Sequence, residues 1–170
     1  GIIKYLKTSN QLTLSDYNIS MLEIGRKNLR NHGYLSPIVA LDGHQLPFVE
    51  NHFDHIVVAF GLRNMANIPK VFQSANHVLK KGGKLTVLEF TTPPNQFFKS
   101  VYDWYSFNII PQVGDWITRS KESYQYLVES IRKHPKAPEL QEMMKNAAFI
   151  HTEFEYLTQG IVAIHRGTKI

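Results

Sequence analysis

The sequence contains no cysteine among its 170 residues. Disulfide bonds, cysteine-ligated zinc and a thiolate nucleophile are therefore excluded. No apolar run approaches the roughly 18 residues that a membrane-spanning helix needs. Eight histidines are present, but none forms an H-x-x-x-H or H-E-x-x-H pair with a nearby third ligand, so we predict no metal site.

Phosphate-binding and nucleophile motifs are also missing. Without G-x-G-x-x-G or G-x-x-x-x-G-K-[ST], no loop that cradles the phosphates of a dinucleotide or of ATP is visible. Either that loop lies before Gly1 or the cofactor carries no phosphates. The lack of G-x-S-x-G argues against a serine hydrolase. The start, Gly1 to Lys4, is no signal peptide and lacks methionine, so we expect the chain to begin inside a longer protein.

The composition is that of a globular protein, with 43% hydrophobic and 19% charged residues. A chain of this length can bury one core but not comfortably two, so we predict a single domain over 1–170. The net charge is +5, which an ordinary basic enzyme explains better than an anionic partner. Because the basic residues are scattered away from the aromatic ones, we expect no nucleic-acid partner.

Strand-like and helix-like segments alternate along the chain. The predicted strands lie at 12–16, 37–41, 54–60, 84–90, 153–156 and 160–168. The apolar run 54–60 predicts a strand covered on both faces, hence a parallel sheet. The last two strands are too close for a crossover and should be antiparallel. This order predicts an α/β protein with a doubly wound sheet and an antiparallel C-terminal hairpin.

Helix boundaries are predicted from capping signals. A capping box of Ser20 and Glu23 should open the first helix. The apolar pattern from Ile68 to Leu79 predicts a second helix, with Lys80 and Lys81 in its last turn and Gly82–Gly83 ending it. A third helix should be capped by Ser120 and a fourth should open at Pro138.

Two acids follow successive predicted strands, where doubly wound sheets bind ligands. Asp16 could accept hydrogen bonds from two ribose hydroxyls, or it could serve only the turn into a helix. Asp42 could accept from an exocyclic amine while Gly43 admits a flat ring, or the pair could form a plain Asp-Gly turn. Together they predict a nucleoside ligand, which NAD(P) or S-adenosylmethionine would provide.

Arg63 follows the most buried predicted strand. It could stabilise a developing phenolate or hold a carboxylate, or it could form only a local salt bridge. Farther along, seven of the 20 aromatic residues lie between 96 and 116. We interpret 95–120 as a lid over a lipophilic substrate, in preference to a local apolar subcore or a membrane-facing flap.

Several segments together resemble the ubiquinone/menaquinone biosynthesis C-methyltransferase (UbiE) family over nearly the whole chain. FGLRN at 60–64 and SYQYLVESIR at 123–132 are specific to that family, whereas V-L-K-x-G-G at 78–83 is shared by many class I methyltransferases. Further matches are LPF at 46–48, LEF at 88–90, YD at 102–103, YSF at 105–107 and GIVAIH at 160–165.

The resemblance implies a Rossmann-like class I methyltransferase sheet with an antiparallel C-terminal strand. It also implies S-adenosyl-L-methionine as donor and C-methylation of a polyprenylated hydroquinone ring in ubiquinone or menaquinone biosynthesis. Asp16 matches the ribose-binding acid of the family, and Asp42 and Gly43 match its adenine-contacting pair.

The acceptor side is implied in the same way. Arg63 falls on a position implicated in activating the substrate, and Tyr102 and Asp103 are expected near the ring and its tail. Asn64 is a predicted substrate contact because an amide beside Arg63 at the end of a strand could help to orient the substrate. The implied partner is a lipophilic quinol. Peripheral contact with a membrane or a quinone-biosynthesis complex and a homodimer stay open. The implied location is cytoplasmic and peripheral to the inner membrane, on the matrix side in a eukaryote.

The sequence departs from the family at several points. His77 and Lys81 replace the usual arginine and proline, and Ala59 replaces a serine that often contacts the cofactor. The sequence lacks the family's first strand and the Gly-rich loop after it. The strands that would pair with that first strand should consequently expose unpaired backbone N–H and C=O groups. We therefore expect the 170-residue chain alone to be poorly stable and weakly active. A Rossmann-type oxidoreductase and a catalytically inactive assembly paralogue are the alternatives.

Overall fold

The computed structural model describes residues 12–94 and 121–170, and the side chains of the second stretch from residue 126 onward. The chain divides into two compact units, Gly1–Pro47 and Phe48–Ile170. The predicted lid at 95–120, with Tyr102 and Asp103, lies outside the described residues, and so does the predicted cap Ser120.

The first unit contains a β-α-β arrangement. Strand β1 (Leu14–Asp16) is followed by helix α1 (Ile19–Asn31) and strand β2 (Ile38–Ala40). The two strands are parallel, with Leu14 opposite Ile38 and Asp16 opposite Ala40. Parallel strands need a crossover, which α1 provides.

The prediction for the start of α1 was wrong. Asn18, not Ser20, is the N-cap, and its side chain accepts hydrogen bonds from the amides of Ser20 and Met21. Asn caps a helix as well as Ser does, and here Glu23 pairs with Arg26 at 2.8 Å instead of reaching back. At the other end, Gly33 has the φ of +79° expected of a helix stop.

The second unit is built on a four-stranded sheet. Its strands are β3 (Phe53–Ala59), β4 (Leu79–Phe90), β5 (Phe149–Leu157) and β6 (Val162–Lys169), in the order β3-β4-β6-β5. The β3–β4 pair is parallel, whereas β4–β6 and β5–β6 are antiparallel. The predicted antiparallel C-terminal hairpin is therefore confirmed.

Helices connect the strands of this sheet. A 3-10 helix (Leu62–Asn64) and α2 (Ile68–Val78) follow β3, and α3 (Lys121–Lys133) and α4 (Ala137–Asn146) precede β5. The predicted apolar stripe of α2 is buried, from Ile68 to Val78. It joins side chains of β4, α4 and β5 in a core that includes Phe72, Leu85, Val87, Leu140, Met144 and Phe149. None of the helices in 12–94 and 121–170 could cross a membrane.

Two expectations for this unit need correction. Although β3 is parallel to β4, it is not covered on both faces, since Val57 is 45% exposed. The segment Lys80–Gly83 does not end α2, which stops at Val78, but forms a bulge within β4. Gly82 has a φ of +75°, and a Cβ at Gly83 would lie 2.7 Å from the Lys80 carbonyl oxygen. The glycines therefore serve the bulge.

Candidate functional site

The two predicted nucleoside-binding acids follow neighbouring strands in the first unit. Asp16 is the last residue of β1, and Asp42 comes two residues after β2. The amide of Leu41 donates to the Asp16 carbonyl at 3.2 Å, so the two chain segments remain paired up to this edge. Because the strands are parallel, their carboxyl ends share one edge of the small sheet.

The Asp16 carboxylate is exposed and lies at the entrance to α1. Its Oδ1 accepts a hydrogen bond from the Asn18 amide at 2.8 Å, and Asn18 in turn caps the helix. Both sequence interpretations are compatible with this geometry. The carboxylate serves the turn, and it still faces solvent with room for hydroxyl donors.

Asp42 is held by a histidine that the sequence analysis missed. Asp42 Oδ1 accepts from the His44 amide at 2.9 Å and lies 2.6 Å from His44 Nδ1. Gly43 sits in the turn closed by the hydrogen bond from the Gln45 amide to the Asp42 carbonyl. The Asp-x-His spacing was the available signal, since an aspartate at a turn commonly accepts from groups two residues on.

Arg63 lies in the 3-10 helix after β3 and forms a buried ion pair with Glu89. Arg63 Nη1 is 2.8 Å from Glu89 Oε1, and the Arg63 amide donates to Oε2 at 3.1 Å. The side chains of Arg63 and Glu89 are only 12% and 1% exposed. The local salt bridge that stood as the alternative is therefore present, and it fixes where the guanidinium points.

Two further contacts, with Phe60 and Phe90, also position the guanidinium of Arg63. Nη1 also donates to the carbonyl of Phe60, a residue with a φ of +54°. The guanidinium carbon lies 5.3 Å from the centre of the Phe90 ring. Left-handed backbone at a bulky residue costs energy and clusters at functional sites.

Asn64, the next residue, contacts α3. Its Oδ1 accepts a hydrogen bond from the Tyr126 hydroxyl at 3.0 Å. The FGLRN and SYQYLVESIR segments of the sequence thus meet in the fold. The amide of Asn64 is exposed and partly committed to this contact.

Two buried histidines were not predicted as site residues. His165 on β6 and His134 just after α3 are 2% and 8% exposed. Burial, with the nearby His134 adding to it, lowers the pKa of His165 to about 4. Burial also lowers the pKa of His134, opposed by the charge of Glu89 and assisted by that of Arg63. Both imidazoles are therefore neutral at pH 7.

The buried neutral His165 predicts an acid-sensitive stability. Its pKa is about 4 in the folded protein and about 6.5 when unfolded. Above pH 6.5 the imidazole is neutral in both the folded and the unfolded protein, so His165 does not reduce the free energy of unfolding there. As the pH falls from 6.5 to 4, only the unfolded protein takes up the proton, and stability is lost. Urea unfolding measures the free energy of unfolding at pH 7 and at pH 4. Between these two pH values it should fall by about 3 kcal/mol more in the wild type than in His165→Gln.

The exposed His77 provides the matched control for this measurement. His77→Gln should lose as much stability on acidification as the wild type. Equal losses for the wild type and His165→Gln would show that His165 does not oppose protonation in the folded protein.

The sequence is similar to a known protein family over almost its whole length. The sequence model of the ubiE/COQ5 methyltransferase family matches residues 1–169. A Shewanella oneidensis protein named ubiquinone/menaquinone biosynthesis C-methyltransferase UbiE is 47% identical over 161 residues, which are 94% of this chain and 64% of that protein. The chain thus spans about two thirds of the length of the curated relatives it matches.

Solved structures share the fold at low sequence identity. A SAM-dependent methyltransferase of Thermotoga maritima, described as a possible histamine N-methyltransferase, superposes with a TM-score of 0.62 at 18% identity, covering 93% of this chain and 72% of that one. A phosphoethanolamine N-methyltransferase of Haemonchus contortus, solved with S-adenosylhomocysteine, superposes with a TM-score of 0.66 at 13% identity. The superposition covers 94% of this chain and 43% of that one. The predicted methyltransferase-type α/β fold is confirmed. With a family match over almost its whole length, this chain belongs to the ubiE/COQ5 methyltransferase family.

Proposed function

We propose that the protein transfers a methyl group from S-adenosylmethionine to a ring carbon of a polyprenylated hydroquinone in ubiquinone or menaquinone biosynthesis. The observation that carries this proposal is the 47% identity to the Shewanella oneidensis relative, whose name states that activity. Family membership favours it over the Rossmann-type oxidoreductase.

The first unit offers donors and acceptors that suit the cofactor. Ribose hydroxyls and an adenine amine are hydrogen-bond donors, and Asp16 and Asp42 present carboxylates at neighbouring strand ends. Asp42 is 55% exposed despite its contact with His44, so it can accept from a ligand as well. The residues present therefore fit a nucleoside, with Asp16 on the sugar and Asp42 with Gly43 at the base.

The second unit offers a fixed cation for the acceptor. When bound, S-adenosylmethionine supplies an electrophilic methyl group on a sulfonium. An aromatic carbon attacks such a group best when a ring hydroxyl has phenolate character. The role we assign to Arg63 is to stabilise that negative charge, and the ion pair with Glu89 orients its guanidinium beforehand. Asn64, Tyr102 and Asp103 remain the predicted contacts of the ring and tail.

The proposal extends to partners. A polyprenylated acceptor resides in a membrane, so we include peripheral membrane contact at the inner membrane. Contact with other quinone-biosynthesis proteins and a homodimer are the further associations that such an enzyme would use.

Calorimetry and a transfer assay on the intact protein test this function. Asp16→Ala and Asp42→Ala should each weaken S-adenosylhomocysteine binding by about 10- to 100-fold, because each removes a hydrogen bond to a charged group. Asp54→Ala, which removes an exposed aspartate paired with Lys80, is the control and should bind normally. Labelled methyl donor should label a demethylated quinol in the wild type.

The possible failures separate the alternatives. Cofactor binding without any methyl transfer would support the inactive assembly paralogue. Binding of NAD(P) in place of S-adenosylhomocysteine would support the oxidoreductase. Unchanged affinity in both aspartate variants would remove Asp16 and Asp42 from the cofactor site.

A further inference from the structure

Buried polar atoms without hydrogen-bond partners are concentrated in one region of the second unit. Within the part of the chain that the structure describes, they are Arg63 Nε, Thr91 Oγ1, His134 Nδ1 and Nε2, and His165 Nδ1. We call Arg63, Glu89, Thr91, His134 and His165 the polar cluster. Buried polar groups in native proteins nearly always have partners, so such a concentration requires an explanation.

The sheet register places the members of the polar cluster together. Glu89 lies on the buried side of β4, in phase with Leu85 and Val87, and the buried Thr91 follows one residue after the strand ends. His165 pairs with Val87 across the β4–β6 ladder. Arg63 reaches Glu89 directly, at 2.8 Å. The cluster therefore occupies the carboxyl end of β4, the position where this class of sheet binds ligands.

His134 directly follows α3, and α3 contacts the 3-10 helix of Arg63 through the hydrogen bond from the Tyr126 hydroxyl to Asn64 at 3.0 Å. Both ring nitrogens of His134 lack a hydrogen-bond partner. Besides burial, the charges of Glu89 and Arg63 act on the pKa of His134, and the charge of His134 acts on the pKa of His165. His134 and Arg63 retain 8% and 12% exposure, whereas Glu89 and His165 are almost fully buried. The small exposure of His134 and Arg63 belongs to other atoms of these side chains, since the unpartnered atoms themselves are buried.

The chemistry of the unpartnered atoms favours a hydroxyl ligand. A neutral imidazole offers one donor and one acceptor, a threonine hydroxyl offers both, and Arg63 Nε is a donor. Because the ion pair of Arg63 and Glu89 has no net charge, the cluster favours a neutral ligand over an ion in the ground state. A neutral phenolic hydroxyl, which donates and accepts at once, matches this mixed set.

We propose that the polar cluster binds a ring hydroxyl of the hydroquinone acceptor and that His134 accepts the proton of that hydroxyl. This inference rests on the proposed function. In the step, the O–H bond breaks, its electron pair stays on the oxygen, and the proton forms a new N–H bond on the imidazole. The phenolate oxygen then lies near the Arg63 guanidinium. In the methylation the new C–C bond would form as the S–CH3 bond breaks. The ring carbon then loses its own proton to solvent, as the one proton that the reaction releases, and the imidazolium returns its proton to the ring oxygen.

Equilibrium binding without methyl donor gives the first test. A soluble short-chain demethylated hydroquinone, kept reduced under anaerobic conditions, should bind the intact wild type at least about 10-fold more tightly than its dimethyl ether. His134→Gln should reduce that preference several-fold, whereas His77→Gln, at an exposed position, should retain it. Equal affinity of the wild type for the hydroquinone and its ether would overturn the proposal without any variant.

The pH dependence of turnover gives the second test. Wild-type kcat should fall on acidification as His134 takes up a proton. Burial and the charge of Arg63 lower the pKa of His134 from its ordinary value, the charge of Glu89 opposes them, and His165 is the other imidazole that interacts with it. His134→Gln should lower kcat on the order of 100-fold, with little change in S-adenosylhomocysteine affinity, and should abolish the acidic limb. His165→Gln should keep that limb, because its own imidazole titrates near pH 4.

The outcomes distinguish this inference from the proposed function. Normal methyl transfer with an unchanged pH profile in His134→Gln would refute the role of His134 and leave the function intact. Absence of methyl transfer in the wild type would refute the function, and the ether comparison would then decide whether the cluster binds phenols at all.

Discussion

Replacing Glu89 with alanine is expected to lower the free energy of unfolding by about 3–5 kcal/mol. The Glu89 carboxylate is 1% exposed and is satisfied by the Arg63 guanidinium, the Arg63 amide and the Phe90 amide. Without it, the Arg63 guanidinium would be left buried and uncompensated, which costs far more than the pair contributes. Urea denaturation followed by circular dichroism at pH 7 measures the change.

An exposed ion pair provides the comparison. Glu142 pairs with Lys145 at 2.9 Å on the surface of α4, and Glu142→Ala should cost less than about 1 kcal/mol. If Glu89→Ala unfolded at the same urea concentration as Glu142→Ala, the ion pair with Arg63 would not hold the 3-10 helix on the sheet.

Much of the fold could be predicted because hydrophobic periodicity and chain length constrain it. The i, i+3, i+4 pattern from Ile68 to Val78 describes a helix with one buried face, and α2 has that face against β4 and α4. The short connection before Gly160 leaves no room for a crossover, so β5 and β6 had to be antiparallel.

Local boundaries were less predictable because several residues compete for each one. Asn18 and Ser20 are both good caps two positions apart, and propensity alone cannot choose between them. Gly82 and Gly83 suit a helix stop and a bulge equally well. The choice depends on pairing with β3 more than 20 residues earlier, which no local pattern reveals.

Some features of the candidate site could also be predicted from the sequence, whereas others could not. The placement of Asp16 and Asp42 at neighbouring strand ends followed from strand order alone, whereas their ligand roles remain predictions. Glu89 was recognisable only as a residue near a strand end, and its pairing with Arg63 joins positions 26 apart. His134 and His165 gave no signal, since neither has a second histidine or carboxylate at a spacing that predicts a site.

A double substitution separates the structural role of Arg63 from its proposed role in catalysis. Arg63→Ala alone should destabilise the protein by about 3–5 kcal/mol, because it leaves the Glu89 charge buried without its partner. Arg63→Met combined with Glu89→Leu replaces the pair by apolar side chains of similar size. Most of the lost stability should return, since such replacements of buried ion pairs are often neutral or stabilising.

Turnover should not return with stability in the double variant. If Arg63 stabilises phenolate charge on the acceptor, the variant should fold, bind S-adenosylhomocysteine normally and transfer methyl groups about 100-fold or more slowly than the wild type. Unfolding curves, calorimetry and the labelled-methyl assay on the same preparation measure the three quantities. Recovery of turnover together with stability would mean that Arg63 acts only through the fold, because a guanidinium needed by the reaction cannot be replaced by a thioether.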